Sequence, residues 1–145
     1  MVADRINSIV VRARVEVAFD CMKNPSSFND LMPGVRFTDV VMTPEGVGTT
    51  YRFETRVAGL PIRGSGRFTA FEANRHIRDE TSIAMEGSFD YLFEADGDGA
   101  RVTIEHHPGR FWDLPIIGRL IADSYERDDR GVLQRLKTKL ETAAE

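Results

Sequence analysis

The stretch that decides the fold is residues 89–106, FDYLFEADGDGARVTIEH. Its middle, Asp96-Gly97-Asp98-Gly99, is a tight-turn signal flanked on both sides by aromatic and β-branched residues. Setting Ala95 opposite Ala100 puts Phe93 across from Val102, Tyr91 across from Ile104 and Phe89 across from His106. Side chains alternate along a strand, so these residues share one face while Asp90, Glu94, Thr103 and Glu105 occupy the other. One register sorts both strands into an apolar and a polar face, which predicts an antiparallel hairpin buried on one side.

Working upstream, a second hairpin reads the same way around Ala58-Gly59-Leu60-Pro61. With those four residues as the turn, Tyr51, Phe53, Thr55 and Val57 face Phe68, Gly66, Gly64 and Ile62. Arg52, Glu54, Arg56, Arg63 and Arg67 then point outward. Gly64 and Gly66 on the inner face fit a strongly curling sheet, or simply relieve crowding beside the aromatics. Further turn signals at Thr43–Gly48, Ala73–Arg75 and Glu86-Gly87 divide Val35–His107 into six strands, all joinable by hairpins. The register of the strand around Asp79 stays open: either Ile77, Asp79, Thr81 and Ile83 face inward, or Arg78, Glu80, Ser82 and Ala84 do. Ile6–Ala13 reads as a first strand. Between it and Val35 come a short helix over Val15–Met22, with Val17, Ala18, Cys21 and Met22 on one face, and a second starting at Pro25 and running to Leu31.

Downstream of His107-Pro108-Gly109 the period becomes helical and stays so. Asp113 suits the N-cap and Pro115 the first turn. Some 30 residues at about 1.5 Å each span roughly 45 Å. Leu133, Leu136 and Leu140 form an apolar stripe; continued backward it meets Asp129 and Ala122, with Tyr125 and Glu126 beside it. Either these polar residues face the sheet and leave room for water or ligand, or the helix rotates at Gly131 and puts Asp128 and Asp129 in solvent. The dense apolar segment Phe111-Trp112-Asp113-Leu114-Pro115-Ile116-Ile117 suits a pocket gate or a helix start packed on the first helices.

The composition narrows the function. At 145 residues the chain is sized for one domain, 1–145. A net charge of −4 builds no positive surface for nucleic acid or anionic lipid. No apolar run approaches the ~20 residues of a membrane span. One cysteine, Cys21, and no signal-like start point to a cytoplasmic protein without disulfides. There is no P-loop, dinucleotide fingerprint, G-x-S-x-G or Cys-x-x-Cys. Adjacent His106 and His107 point to opposite faces and cannot chelate one ion together; with only His76 besides, no metal and no cofactor are expected.

This element order, one strand, two short helices, six antiparallel strands and a long C-terminal helix, resembles the START-like helix-grip (SRPBCC) superfamily, which includes bacterial polyketide cyclase/dehydrase and lipid-transport proteins. The residues that carry the resemblance are Ile9–Ala13 with Val17-Ala18-Phe19, Phe28–Val35, Gly48–Tyr51, Arg101–Ile104 and Leu133–Lys137, so that it covers about Ile6 to Leu140. It implies an α+β fold, a seven-stranded curved antiparallel sheet wrapped around the C-terminal helix, with an internal cavity for an apolar small molecule. It transfers no catalytic signature.

The expected wall is Tyr51, Phe53, Phe68, Phe89, Tyr91, Phe93 and Ile104, with His106 and Tyr125 as polar contacts. His106 continues the inward series and should lie near the cavity rim, as a ligand contact, a proton shuttle, or a histidine satisfied by its neighbours. The leading expectation is a carrier of a lipid, isoprenoid or polyketide-like molecule. An enzyme of cyclase/dehydratase type with His106 as general acid/base is the alternative, and an interaction module with a vestigial cavity a third. Neither the ligand nor the oligomeric state can be read from the residues.

Overall fold

A computed structural model describes residues 4–57, 59–82, 87–109 and 117–143, with side chains except those of 57 and 117–128. Strand β1 (Arg5–Val11) leads into helix α1 (Val15–Met22), a 3-10 turn (Pro25–Ser27) and helix α2 (Phe28–Leu31). Strands β2 (Val35–Val41), β3 (Thr50–Val57), β4 (Leu60–Glu72), β5 (His76–Thr81), β6 (Gly87–Asp96) and β7 (Gly99–Pro108) follow, then helix α3 (Ile117–Ala143). The strands form one curved, open antiparallel sheet in the order β1-β7-β6-β5-β4-β3-β2. Consecutive strands from β2 to β7 are neighbours, and α1 and α2 carry the chain from one edge to the other.

The β6–β7 register is as the turn implies: Phe89 faces His106, Tyr91 faces Ile104 and Phe93 faces Val102. The β3–β4 register differs from expectation by two residues. Tyr51 faces Gly66, Phe53 faces Gly64 and Thr55 faces Ile62, because β3 runs to Val57 and Leu60-Pro61 already belong to β4. Gly59, next to Leu60, takes a φ of +81°, a left-handed conformation that suits glycine in a hairpin connection. Pro61 is accommodated where β4 has β3 on one side and β5 begins pairing only at Gly66. A two-residue slip preserves the face, so the inward set is unchanged. The slip seats the Tyr51 ring over Gly66 and the Phe53 ring over Gly64, where a Cβ would overlap each ring.

One feature of β4 was not read from the sequence. The pairing shifts between Phe68↔Asp79 and Ala70↔Arg78, leaving Thr69 as a bulge. The bulge reverses the alternation, so Phe68 and Phe71, three apart, both point inward and pack on one another, and Phe71 packs on Phe19. It also settles β5: Ile77 and Asp79 are buried while Arg78 and Glu80 face out.

Helix α1 corrects its expected face. Ala18, Phe19 and Met22 are buried, whereas Val17 is 41% exposed. The stripe follows Val15, Ala18-Phe19 and Met22, the i, i+3/i+4, i+7 spacing of a helix, with Phe19 edge-on to Phe93 at 5.3 Å. Asn24 caps the 3-10 turn by accepting from the Ser26 N–H at 3.0 Å. The second helical segment is thus split, with Pro25 in the 3-10 turn and α2 beginning at Phe28. Asn29 then docks α2 on the β2 edge as a surrogate strand. Its Oδ1 accepts from the Phe37 N–H at 2.8 Å and its Nδ2 donates to the Phe37 carbonyl at 3.1 Å.

Val132, Leu133, Leu136 and Leu140 bury the C-terminal half of α3. Arg135 donates to the Leu31 carbonyl at 3.0 Å, Lys139 pairs with Asp30 at 3.0 Å, and Glu141 accepts from the Arg12 N–H at 2.9 Å. Asp129, 4% exposed, faces the sheet. Asp113, Pro115, the rest of residues 110–116 and the side chains of Ala122, Tyr125, Glu126 and Asp128 lie outside the described residues.

The seating of Tyr51 on Gly66 yields a stability test. Gly66→Ala is expected to cost about 1–3 kcal/mol through overpacking, read from urea unfolding. Gly34→Ala, with nothing near its Cβ position, should stay within about 0.5 kcal/mol. Combining Gly66→Ala with Tyr51→Leu should cost less than the sum of the two single changes.

Candidate functional site

Aromatic rings pave the concave side of the sheet in a continuous series. Phe28 lies 5.6 Å from Tyr91 and 5.7 Å from Phe37; Phe37 lies 5.6 Å from Tyr51; Tyr51 lies 6.4 Å from Phe53. Phe89 stacks at 6.2 Å on Tyr91. These rings, with Pro25, Met32, Phe68, Asp79, Thr81, Ile104, Asp129 and Val132, enclose a void of about 30 Å³, room for about one water.

Of the residues expected in the wall, Tyr51, Phe53, Phe68, Phe89, Tyr91 and Ile104 line the void. Phe93 lies on the same face but packs on Phe19 of α1. His106 is fully buried, not at a rim. Its ring stacks behind Phe89 at 4.3 Å and 10° between planes, with Nδ1 3.8 Å from Asp129 Oδ2. Tyr125 lies outside the described side chains.

The polar focus of the wall is Asp79. It is 3% exposed and sits on β5 between β4 and β6. Tyr51, reaching across Gly66 from β3, donates its hydroxyl to Asp79 Oδ2 at 2.6 Å; Tyr91 from β6 reaches the same oxygen at 3.4 Å. Oδ1 has no hydrogen-bond partner among the described residues. Burial pushes the Asp79 carboxyl up to about 7, against the two phenol hydrogen bonds that favour the carboxylate. Burial beside this acid in turn drives both phenols well above the ordinary tyrosine value. Asp79 therefore exchanges a proton near neutral pH while both tyrosines stay protonated donors. His106 moves the other way: burial lowers it to about 4, so its imidazole is neutral at pH 7.

Sequence reasoning left Asp79 open because the Thr69 bulge hides the parity of β5. The signal was the Phe68–Phe71 spacing, since two inward aromatics three apart in a strand require an extra residue. Asp129 was ambiguous because its orientation depends on how α3 is rotated.

The two shifted groups have opposite pH consequences. Native Asp79 keeps its proton while the unfolded chain, titrating near 4, releases it. Its stabilising effect is present in acid and lost as pH rises from about 4 to about 7. Native His106 stays neutral while the unfolded chain, titrating near 6.5, takes up a proton. Stability is lost from this source as pH falls from about 6.5 to about 4. The windows overlap and the signs oppose, so the parent protein should show a flattened profile across them. Asp79→Asn should leave a stability that falls toward acid, and His106→Gln one that falls toward neutral pH. The slopes should be up to about 1.4 kcal/mol per pH unit, read from urea midpoints between about pH 4.5 and 7.5.

Known proteins share this fold. A Chromobacterium violaceum protein, CV1439, superposes with a TM-score of 0.74 at 15% identity, covering 96% of this chain and 98% of its own. TTHA0849 from Thermus thermophilus gives 0.75 at 16%, covering 99% and 100%. The di-domain ARO/CYC StfQ from the steffimycin biosynthetic pathway gives 0.77 at 15%, covering 97% of this chain and 51% of its own. No curated protein matches. Residues 7–141 match the model of one family, and the chain belongs to it: polyketide cyclase / dehydrase and lipid transport.

Proposed function

We propose that this protein binds a hydrophobic small molecule bearing a hydroxyl or carbonyl group, of lipid, isoprenoid or polyketide-like type, between the concave face of the sheet and α3. The observation that carries the reading is Asp79. A core needs no carboxyl group for stability, and burying one without full pairing is costly. Here it lines an aromatic-walled void, holds two phenols with one oxygen, and has no hydrogen-bond partner for the other among the described residues. Apolar walls with a few convergent polar groups are the usual form of a small-molecule site. The family description, polyketide cyclase / dehydrase and lipid transport, supports the same class of ligand. The void bounded by the described residues, about 30 Å³, is smaller than such a ligand, so the reading requires the wall to part on binding.

The convergence of Tyr51, Asp79 and Tyr91 favours a second reading, in which the bound molecule is transformed in a cyclase or dehydratase reaction. Among the described residues Asp79 suits proton transfer at neutral pH better than His106, which stays neutral and lies behind Phe89.

Fluorescence titration with naphthalene and 2-naphthol tests the first reading. The parent should prefer the naphthol by roughly three- to twelve-fold, one hydrogen bond's worth, and Asp79→Leu should abolish that preference. Arg52→Ala and Glu94→Ala, on the exposed face, should change neither affinity. Equal affinities for both probes in the parent and in Asp79→Leu would overturn it. If a poly-β-ketone substrate is turned over, Asp79→Asn should lower the rate by about 10²- to 10⁴-fold while His106→Gln leaves it within a few fold. Binding without conversion leaves the carrier.

A further inference from the structure

The convex face carries a second cluster, remote in chemistry from the aromatic wall. Asp90 on β6 lies directly opposite Glu105 on β7. Like charges in register on neighbouring strands repel, so a positive group between them is favoured. His107, two residues along β7, turns Nε2 toward both carboxylates, 2.9 Å from Asp90 Oδ2 and 3.9 Å from Glu105 Oε2. One ligand atom from each of the three residues lies within 4.8 Å of the others. Tetrahedral bonds of about 2.0–2.2 Å place ligand atoms roughly 3.3–3.6 Å apart, inside the range of these distances.

The surroundings of the three residues also match a metal site. The other nitrogen of His107, Nδ1, is held 2.8 Å from Asp4 Oδ2. That is the carboxylate–histidine arrangement that orients a metal-bound imidazole. The other oxygen of Asp90 is held by His76 Nε2 at 2.6 Å, leaving Oδ2 facing His107. Asp90 is nearly buried, whereas His107 and Glu105 keep about a third of their side-chain surface open, so an ion can enter from solvent. Arg78 approaches Asp90 Oδ2 at 4.0 Å and is partly exposed. Among the described residues, the three carboxylates of Asp4, Asp90 and Glu105 outnumber this guanidinium, and the two histidines beside them can give up a proton to a dication.

We infer that His107, Asp90 and Glu105 form a binding site for a borderline first-row divalent ion of the Zn²⁺ type on the convex face. Asp4 and His76 position the ligands and water completes the coordination. The ion replaces the proton on His107 Nε2, which passes to solvent. The pair His106-His107 cannot chelate one ion, since the two residues part to opposite faces; the partners of His107 come across the sheet. The imidazole–carboxylate donor set suits Zn²⁺, Co²⁺ or Ni²⁺ over Ca²⁺ or Mg²⁺, which take oxygen ligands.

Calorimetric titration of tag-free, chelator-stripped protein with ZnCl₂ at neutral pH tests this. One Zn²⁺ per chain should bind with a Kd of about 10 μM or below, raising Tm, and EDTA should reverse the gain. His107→Gln and Glu105→Gln should each weaken binding at least about 10-fold, and Asp4→Asn, on the exposed N-terminal flank, by about 10-fold. Cys21→Ser should leave the affinity unchanged. Co²⁺ in the parent should give the visible absorption of a four-coordinate site, lost in His107→Gln even where that variant is as stable as the parent. No binding below millimolar Zn²⁺, an affinity indifferent to His107→Gln, or one abolished by Cys21→Ser would overturn the assignment.

Discussion

The constraint on which this structure depends is the alternation of side chains across one continuous antiparallel meander. Each strand from β2 to β7 takes its face from its neighbour, so one register error would invert everything beyond it. The β6–β7 hairpin anchors the series with its two-residue turn, Gly97-Asp98. From there parity passes to β5, where Ile77 and Asp79 lie against Tyr91 and Phe89. It then reaches β4 and meets the Thr69 bulge, which reverses it once and lets Phe68 and Phe71 share a face.

That alternation brings Asp79 into the core, and two glycines make its site possible. Gly66 lets the Tyr51 ring lie flat across β4, which carries the hydroxyl to the Asp79 carboxyl, and Gly64 seats Phe53 beside it. The result is a polar group inside an aromatic wall that raises its own proton affinity and that of both neighbouring phenols. On the same sheet His106 is neutralised by burial. The interior thus holds an acid and a base whose shifts oppose one another in their effect on stability. A wall that keeps polar atoms at low dielectric gives up stability, the trade expected where function is placed in a core.

The structural neighbours inform this picture only at the level of the fold. At 15–16% identity, TM-scores of 0.74–0.77 establish a shared backbone. The same backbone gives the two faces of the sheet different chemistries. Inward positions collect aromatics around one acid, and outward positions of β5, β6 and β7 collect His76, Asp90, Glu105 and His107.

Much of the fold was legible in the residues because its signals are local. The Asp96–Gly99 turn, the two-residue alternation on either side of it, and the Leu133, Leu136 and Leu140 stripe are each read within one or two elements. They determined the strand count, the antiparallel hairpins, the long C-terminal helix and most of the aromatic wall. The β3–β4 register departs by two residues from the one the Ala58–Pro61 signal implies, and the faces still agree, since a slip of two keeps the face. Only the tertiary structure decided what depends on more than one neighbour. Asp79 turns inward because of a bulge on the adjacent strand, and Phe19 displaces Val17 from the core because Phe93 and Phe71 lie beneath it. Asp129 faces the sheet because hydrogen bonds and ion pairs with α2 and the end of β1 set the rotation of α3. His107 gathers carboxylates from a neighbouring strand and from the N-terminal flank, which no spacing along one strand reveals. Periodicity places a side chain on a face; which groups meet on that face is set by pairing, bulges and helix rotation.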